Sequence, residues 1–151
     1  MLRHTLATLA YRAGKAMRDA PPDFAAFAPA PGSRTAGQIL AHMGDLMAWG
    51  ESIARGEQAW TDSPVLAWDA GVHRFFAALK RFDDAVADLD PDDPLEPKLF
   101  QGPIADALQH TGQLTMMRRL AGAPIRSENY YAADIVTGRV GAEQASPKRE
   151  F

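Results

Sequence analysis

The sequence predicts an all-α protein, a four-helix bundle. Three observations carry this. Four segments place apolar residues at helical steps of three and four. Proline-rich stretches separate them. β-Branched residues are few, and no alternating apolar–polar run exists to build a sheet.

The first predicted helix spans about Leu2 to Asp19, with Leu2, Leu6, Leu9, Ala13 and Met17 on one face. Pro21-Pro22 stops it, and the next segment reads as a long ordered loop pinned by Phe24 and Phe27. The second helix starts after Ser33 or Thr35 as N-cap and runs to about Arg55-Gly56, with Ile39, Leu40, Met43, Leu46, Met47 and Ile53 as its stripe. Ser63-Pro64 has the pattern of a cap followed by proline at the first helical position. A third helix is therefore expected from Ser63 to about Leu89, with Leu66, Val72, Phe75, Phe76, Leu79, Phe82, Val86 and Leu89 inward. The prolines between Pro91 and Gly102 predict a non-helical crossover loop. Pro103 opens the fourth helix, which ends at Gly122 with Arg118 and Arg119 suited to its dipole. Residues 1–151 read as one domain: a bundle over about 2–122, then an extended tail over 123–151 with one short turn near Tyr130–Thr137.

The chain of 151 residues is long enough to bury about 70% of its unfolded surface without a staple. Its apolar share of 46% and charged share of 23% are those of a globular protein. A net charge of −3 supplies no basic field, so neither nucleic acid nor an anionic membrane is an expected partner. There is no cysteine, which removes disulfides, thiolate ligands and a cysteine nucleophile. Arg3, His4 and Arg12 interrupt any signal-peptide core, and no run approaches the roughly 20 apolar residues of a membrane span. The expected location is the cytoplasm.

Two of the four histidines stand in a chemical pattern. Gln38, His42, Asp45 and Trp49 share one face of the second helix. On the fourth, Asp106 and His110 are four residues apart and point the same way, as paired ligands do in bundle-core metal sites. Spacing alone also allows a hydrogen-bonded core histidine at His42 and a surface ion pair at Asp106 and His110. His4 and His73 lack partners at ligand spacing. Asp83-Asp84 and Asp92-Asp93 read as solvated charge runs. Trp49, Trp60 and Trp68 flank the junction of the second and third helices, as pocket wall or as core. No nucleophile elbow, phosphate-binding loop or dinucleotide fingerprint is present.

The stretches RTAGQILAHMGDLMAWGE, DALQHTGQLTMMRRLAG and ENYYAADIVTGRVGAEQ resemble the DinB-like family of four-helix bundles, related to YfiT-type proteins, across nearly the whole chain. The resemblance implies a divalent-metal site made by His42, Asp106 and His110. The family's usual triad is three histidines, so Asp106 is a departure. Two histidines and a carboxylate still suit zinc, nickel, iron or manganese; the other reading is a member that has lost its metal. Asp45 is the candidate to orient the His42 imidazole. Gln113 is the candidate to orient His110 or meet a cofactor, and Trp49 the candidate to line the cofactor site. The resemblance further implies a thiol S-transferase or hydrolase that uses a low-molecular-weight thiol on small electrophiles, in a homodimer. The alternatives are a non-catalytic, stress-associated small-ligand-binding protein and a structural dimeric bundle.

Overall fold

The computed structural model describes residues 1–90 and 93–151; Pro91 and Asp92, expected in the crossover loop and the charge run, lie outside them. Four long helices form an all-α bundle: α1 (Leu2–Met17), α2 (Ala36–Ala54), α3 (Trp68–Ala87) and α5 (Ala105–Leu120), with a single turn, α4 (Glu96–Leu99), before the last. No strand occurs among the described residues, only an isolated bridge between Glu128 and Glu150.

Each long helix packs on two others, in the ring order α1, α3, α2, α5. Contacts along the helices fix their directions. Arg3 at the start of α1 binds Asp83 near the end of α3, and Trp68 at the start of α3 donates to Met17 O, so α1 and α3 are antiparallel. Leu40 packs at Gly71, Gly44 at Arg74 and Gly50 at Phe82, so α2 and α3 are parallel. Trp49 lies over Gly102 while Ile39 shares a cleft with Met117, so α5 runs against α2. The Gly50–Phe82 approach admits no side chain: a Cβ on Gly50 would collide with the buried ring.

Parallel neighbours need a return connection, and this explains the principal departure from the sequence reading. The 19 residues of α2 span about 28 Å, so an extended return takes about eight residues. Residues 55–67 supply it as a strap along α2. Ala59 N–H donates to Ser52 Oγ at 3.0 Å, Trp60 stands edge-on to Trp49, Ser63 N–H donates to Asp45 Oδ2 at 3.0 Å, and Val65 abuts Gly37. Helix α3 therefore begins at Trp68 rather than Ser63, and Leu66 is exposed instead of core.

The crossover between α3 and α5 is also corrected, from loop to mostly helix. Pro97 sits in the first turn of α4, where no N–H is required, and Pro103 falls inside a π-helical segment, Phe100–Ile104, that runs into α5. At the other end of the bundle, Thr35 rather than Ser33 is the N-cap of α2. It forms a capping box in which Gln38 N–H donates to Thr35 Oγ1 and Thr35 N–H to Gln38 Oε1.

The core holds Leu6, Leu9, Met43, Met47, Phe75, Leu79, Phe82 and Leu114, with Phe24 pinning the first loop edge-on to Trp68. Asp83, expected in solvent, has a buried carboxylate that accepts two bonds from Arg3, at 3.0 and 2.8 Å. Sequence alone hides this pair because its members are 80 residues apart. The tail folds back onto α1: Glu128 is buried and accepts from Tyr11 Oη at 2.6 Å and Lys15 Nζ at 2.7 Å. Only Tyr130–Ala132 forms a helical turn there. The apolar face of α1 is thus consumed within the chain. Among the described residues, no helix is long and apolar enough to cross a membrane.

Candidate metal centre

Because α2 and α5 run antiparallel side by side, residues 64 apart in sequence meet. His42 Nε2 lies 3.4 Å from Asp106 Oδ2, and His110 Nε2 lies 3.3 Å from Asp106 Oδ1. The two imidazoles stand edge-on with centroids 4.9 Å apart. One ligand atom from each of the three residues falls within 4.8 Å of the others. Donors bound at about 2.0–2.2 Å to a tetrahedral or octahedral ion stand roughly 2.8–3.6 Å apart, a range that holds both His–Asp separations.

The chemistry of the donor set fits as well. Gln113 Oε1 lies 2.7 Å from His110 Nδ1, and a proton on Nδ1 donated to that oxygen would leave Nε2 free to ligate a cation. Gln113 thus lies beside the His110 ring that it was expected to orient. Asp45 is engaged elsewhere. Its carboxylate is nearly buried and is held by Arg74 and by Ser63 N–H, while Arg74 also donates to Ser63 Oγ at 2.6 Å and Ala41 O at 3.2 Å. Asp45 fastens the strap to α2; it does not bond to His42. The shared face read from spacing was right, but the strap competes for the carboxylate.

Trp60 is the site residue that periodicity could not place. Projecting from the strap, it stands edge-on to His42 with centroids 5.6 Å apart, and Trp49 reaches the site only through Trp60, at 5.7 Å. Trp68 belongs to the core instead. The signal for Trp60 was its count from the end of α2, readable only once the connection is known to double back.

Asp106 is the most open of the three, with 40% of its side chain exposed against 22% for His42 and 9% for His110. Beyond His110 and Gln113 lies a cleft of about 510 Å³ walled by Pro29, Ile39, Met116 and Leu120, with Arg34 at its edge. His4 and His73 are exposed and remote from this cluster, as expected.

Fold and site together define an all-α bundle carrying a His/Asp/His cluster that can hold a metal ion. Comparison of the chain with protein-family models, with curated proteins and with solved structures finds no match in any of the three.

Proposed function

We propose that this chain is a divalent-metal-dependent protein of the DinB-like kind, a thiol S-transferase or hydrolase acting on small electrophiles. The observation that carries the proposal is the meeting of His42, Asp106 and His110, with Gln113 Oε1 beside His110 Nδ1. Two imidazoles and one carboxylate suit zinc, nickel, iron or manganese. Such an ion, when bound, would supply Lewis acidity and favour the deprotonated form of a thiol or water.

The chain's own residues supply the rest. His110 is held rigid by Gln113, Asp106 leaves the outer side of the cluster open, and Trp60 screens one side of His42. The apolar cleft beside His110 offers room for an electrophile's organic portion, with Arg34 for an anionic end. A chain without cysteine takes its thiol from outside, which accords with a cytoplasmic low-molecular-weight thiol such as bacillithiol or mycothiol. Homodimerisation rests on the resemblance alone.

The test is thiol consumption by protein reconstituted with each of the four metals, using bacillithiol, mycothiol or cysteine and a small alkylating electrophile. The expected result is a metal-dependent rate above the uncatalysed reaction, lost in His110→Ala. A metal-loaded protein with only the background rate for every thiol, and no hydrolysis of the electrophile, contradicts it. The cleft favours a second reading, a non-catalytic small-ligand-binding bundle, because its apolar wall needs no ion to hold a ligand.

A further inference from the structure

The face of α5 opposite the metal cluster borders a second concavity with a different chemistry. Asp106, His110 and Gln113 lie on one side of the helix; Leu108, Thr111, Gly112, Thr115 and Arg119 lie on the other, at the spacing that 3.6 residues per turn dictates. There α1, α5 and the start of the tail enclose about 340 Å³, bordered by Arg12, Arg119 and Arg126 together with Thr115, Ser127 and Glu128. We infer that this concavity binds the phosphate group of a small molecule, at a site separate from the metal cluster.

Charge carries the inference. Three exposed arginines border one small hollow in a protein whose net charge is −3. None of the three is paired with a carboxylate among the described residues. Arg12 lies over the Tyr130 ring, 4.3 Å from its centroid, and Arg119 Nη2 reaches Ser127 Oγ at 3.4 Å. Arg126 has no hydrogen-bond partner among the described residues.

The one carboxylate in the wall is bonded elsewhere. Glu128 accepts from Tyr11 and Lys15, and Lys15 also binds Glu150 at 2.6 Å, so two carboxylates share one ammonium and one net negative charge stands against three arginines. Burial and the bond to Glu128 push the Tyr11 phenol up from its ordinary pKa, keeping it a donor to that carboxylate.

The remaining wall favours an acceptor-rich ligand. Thr111 and Thr115 spend their hydroxyl protons on Ala107 O and Thr111 O, so donation falls to the guanidiniums and to the Ser127 hydroxyl. Arginine's planar fork matches phosphate oxygens pairwise. A phosphate group concentrates its charge in one tetrahedron of acceptors, where a single carboxylate offers half as much. Gly112, exposed on α5, borders the hollow, and a Cβ there would meet nothing within 4 Å.

The test is calorimetric titration of the full chain with inorganic phosphate and with glycerol 3-phosphate, at ionic strength matched with sodium chloride. Saturable one-site binding is expected for at least one of them; tighter glycerol 3-phosphate binding assigns the site to a phosphomonoester, and the reverse to free phosphate. Arg12→Gln and Arg126→Gln should each weaken it on the order of tenfold. Gly112→Met keeps all three arginines and a helix-compatible residue but fills the hollow, and should abolish binding. His110→Ala should leave it unchanged. Heat no greater than that of chloride alone overturns the proposal, as does full binding by Gly112→Met, or a loss in His110→Ala equal to that in the arginine variants.

Discussion

Replacing either imidazole, in His42→Ala or His110→Ala, is expected to abolish high-affinity binding of a divalent cation. Each removes one of only three protein donors, and the two that remain cannot displace enough water from the ion. Gln113→Leu should weaken binding by about 10–100-fold, because Nδ1 of His110 then loses the acceptor beside it. Asp106 lies within 3.4 Å of both rings, so Asp106→Asn keeps its shape but removes its charge and should fall between these effects. His73, exposed on α3 and outside the cluster, provides the control. Isothermal titration with zinc or nickel measures all five proteins. A His73→Ala loss as large as that of His110→Ala would place the site elsewhere.

The largest stability effect outside the hydrophobic core is expected at Arg118. Its side chain is 95% buried, and it donates to four backbone carbonyls: Ala123 at 2.9 Å, Ala16 at 3.2 Å, Arg18 at 2.8 Å and Asp19 at 3.1 Å. Those bonds tie the end of α5 to the end of α1, where Asp19 adopts a positive φ of 53°. Burial lowers the guanidinium's pKa from its ordinary value, with Asp19 offsetting part of the effect, yet it stays a cation at any accessible pH. Arg118→Met preserves much of the volume and strands the carbonyls. The expected loss is about 3–5 kcal/mol, or about 10 °C in Tm for a chain of this length. Urea denaturation checks it. A loss below about 1 kcal/mol would mean that water satisfies those carbonyls as well as the arginine does.

Much of this fold was legible because its signals are local. The stripes of α1, α2 and α3, the capping residue Thr35 and the stop at Gly122 lie within a few residues of what they control. The failures share a cause, competition from distant partners. Ser63-Pro64 has the pattern of a helix start, but Ser63 N–H goes to Asp45 and its hydroxyl to Arg74, so the segment is held as a strap. Pro97 looked like a helix breaker, yet a first turn accommodates it, and Pro103, read as the opening of the last helix, falls inside a π turn that precedes it. Asp83 looked solvated because Arg3 lies on another helix.

The site divides in the same way. Asp106 and His110 declare themselves by their spacing, whereas His42 joins them only through the antiparallel packing of α2 and α5. That packing follows from the parallel α2–α3 pair, and so from the length of the strap. Trp60 and Arg74 could not be assigned until the strap's path was known. The orienting role expected of Asp45 failed for that reason, and Gln113 was found because it lies one turn from His110 on the same helix.

The central claim is that His42, Asp106 and His110 form a working metal centre rather than a set of hydrogen-bonded side chains. Metal content of tag-free protein, reconstituted with zinc, nickel, iron(II) or manganese and then desalted, tests it most directly. About one equivalent per chain is expected with at least one of these metals. Less than about a tenth of an equivalent with all four would contradict it, leaving Asp106 as an ion-pair partner of two histidines.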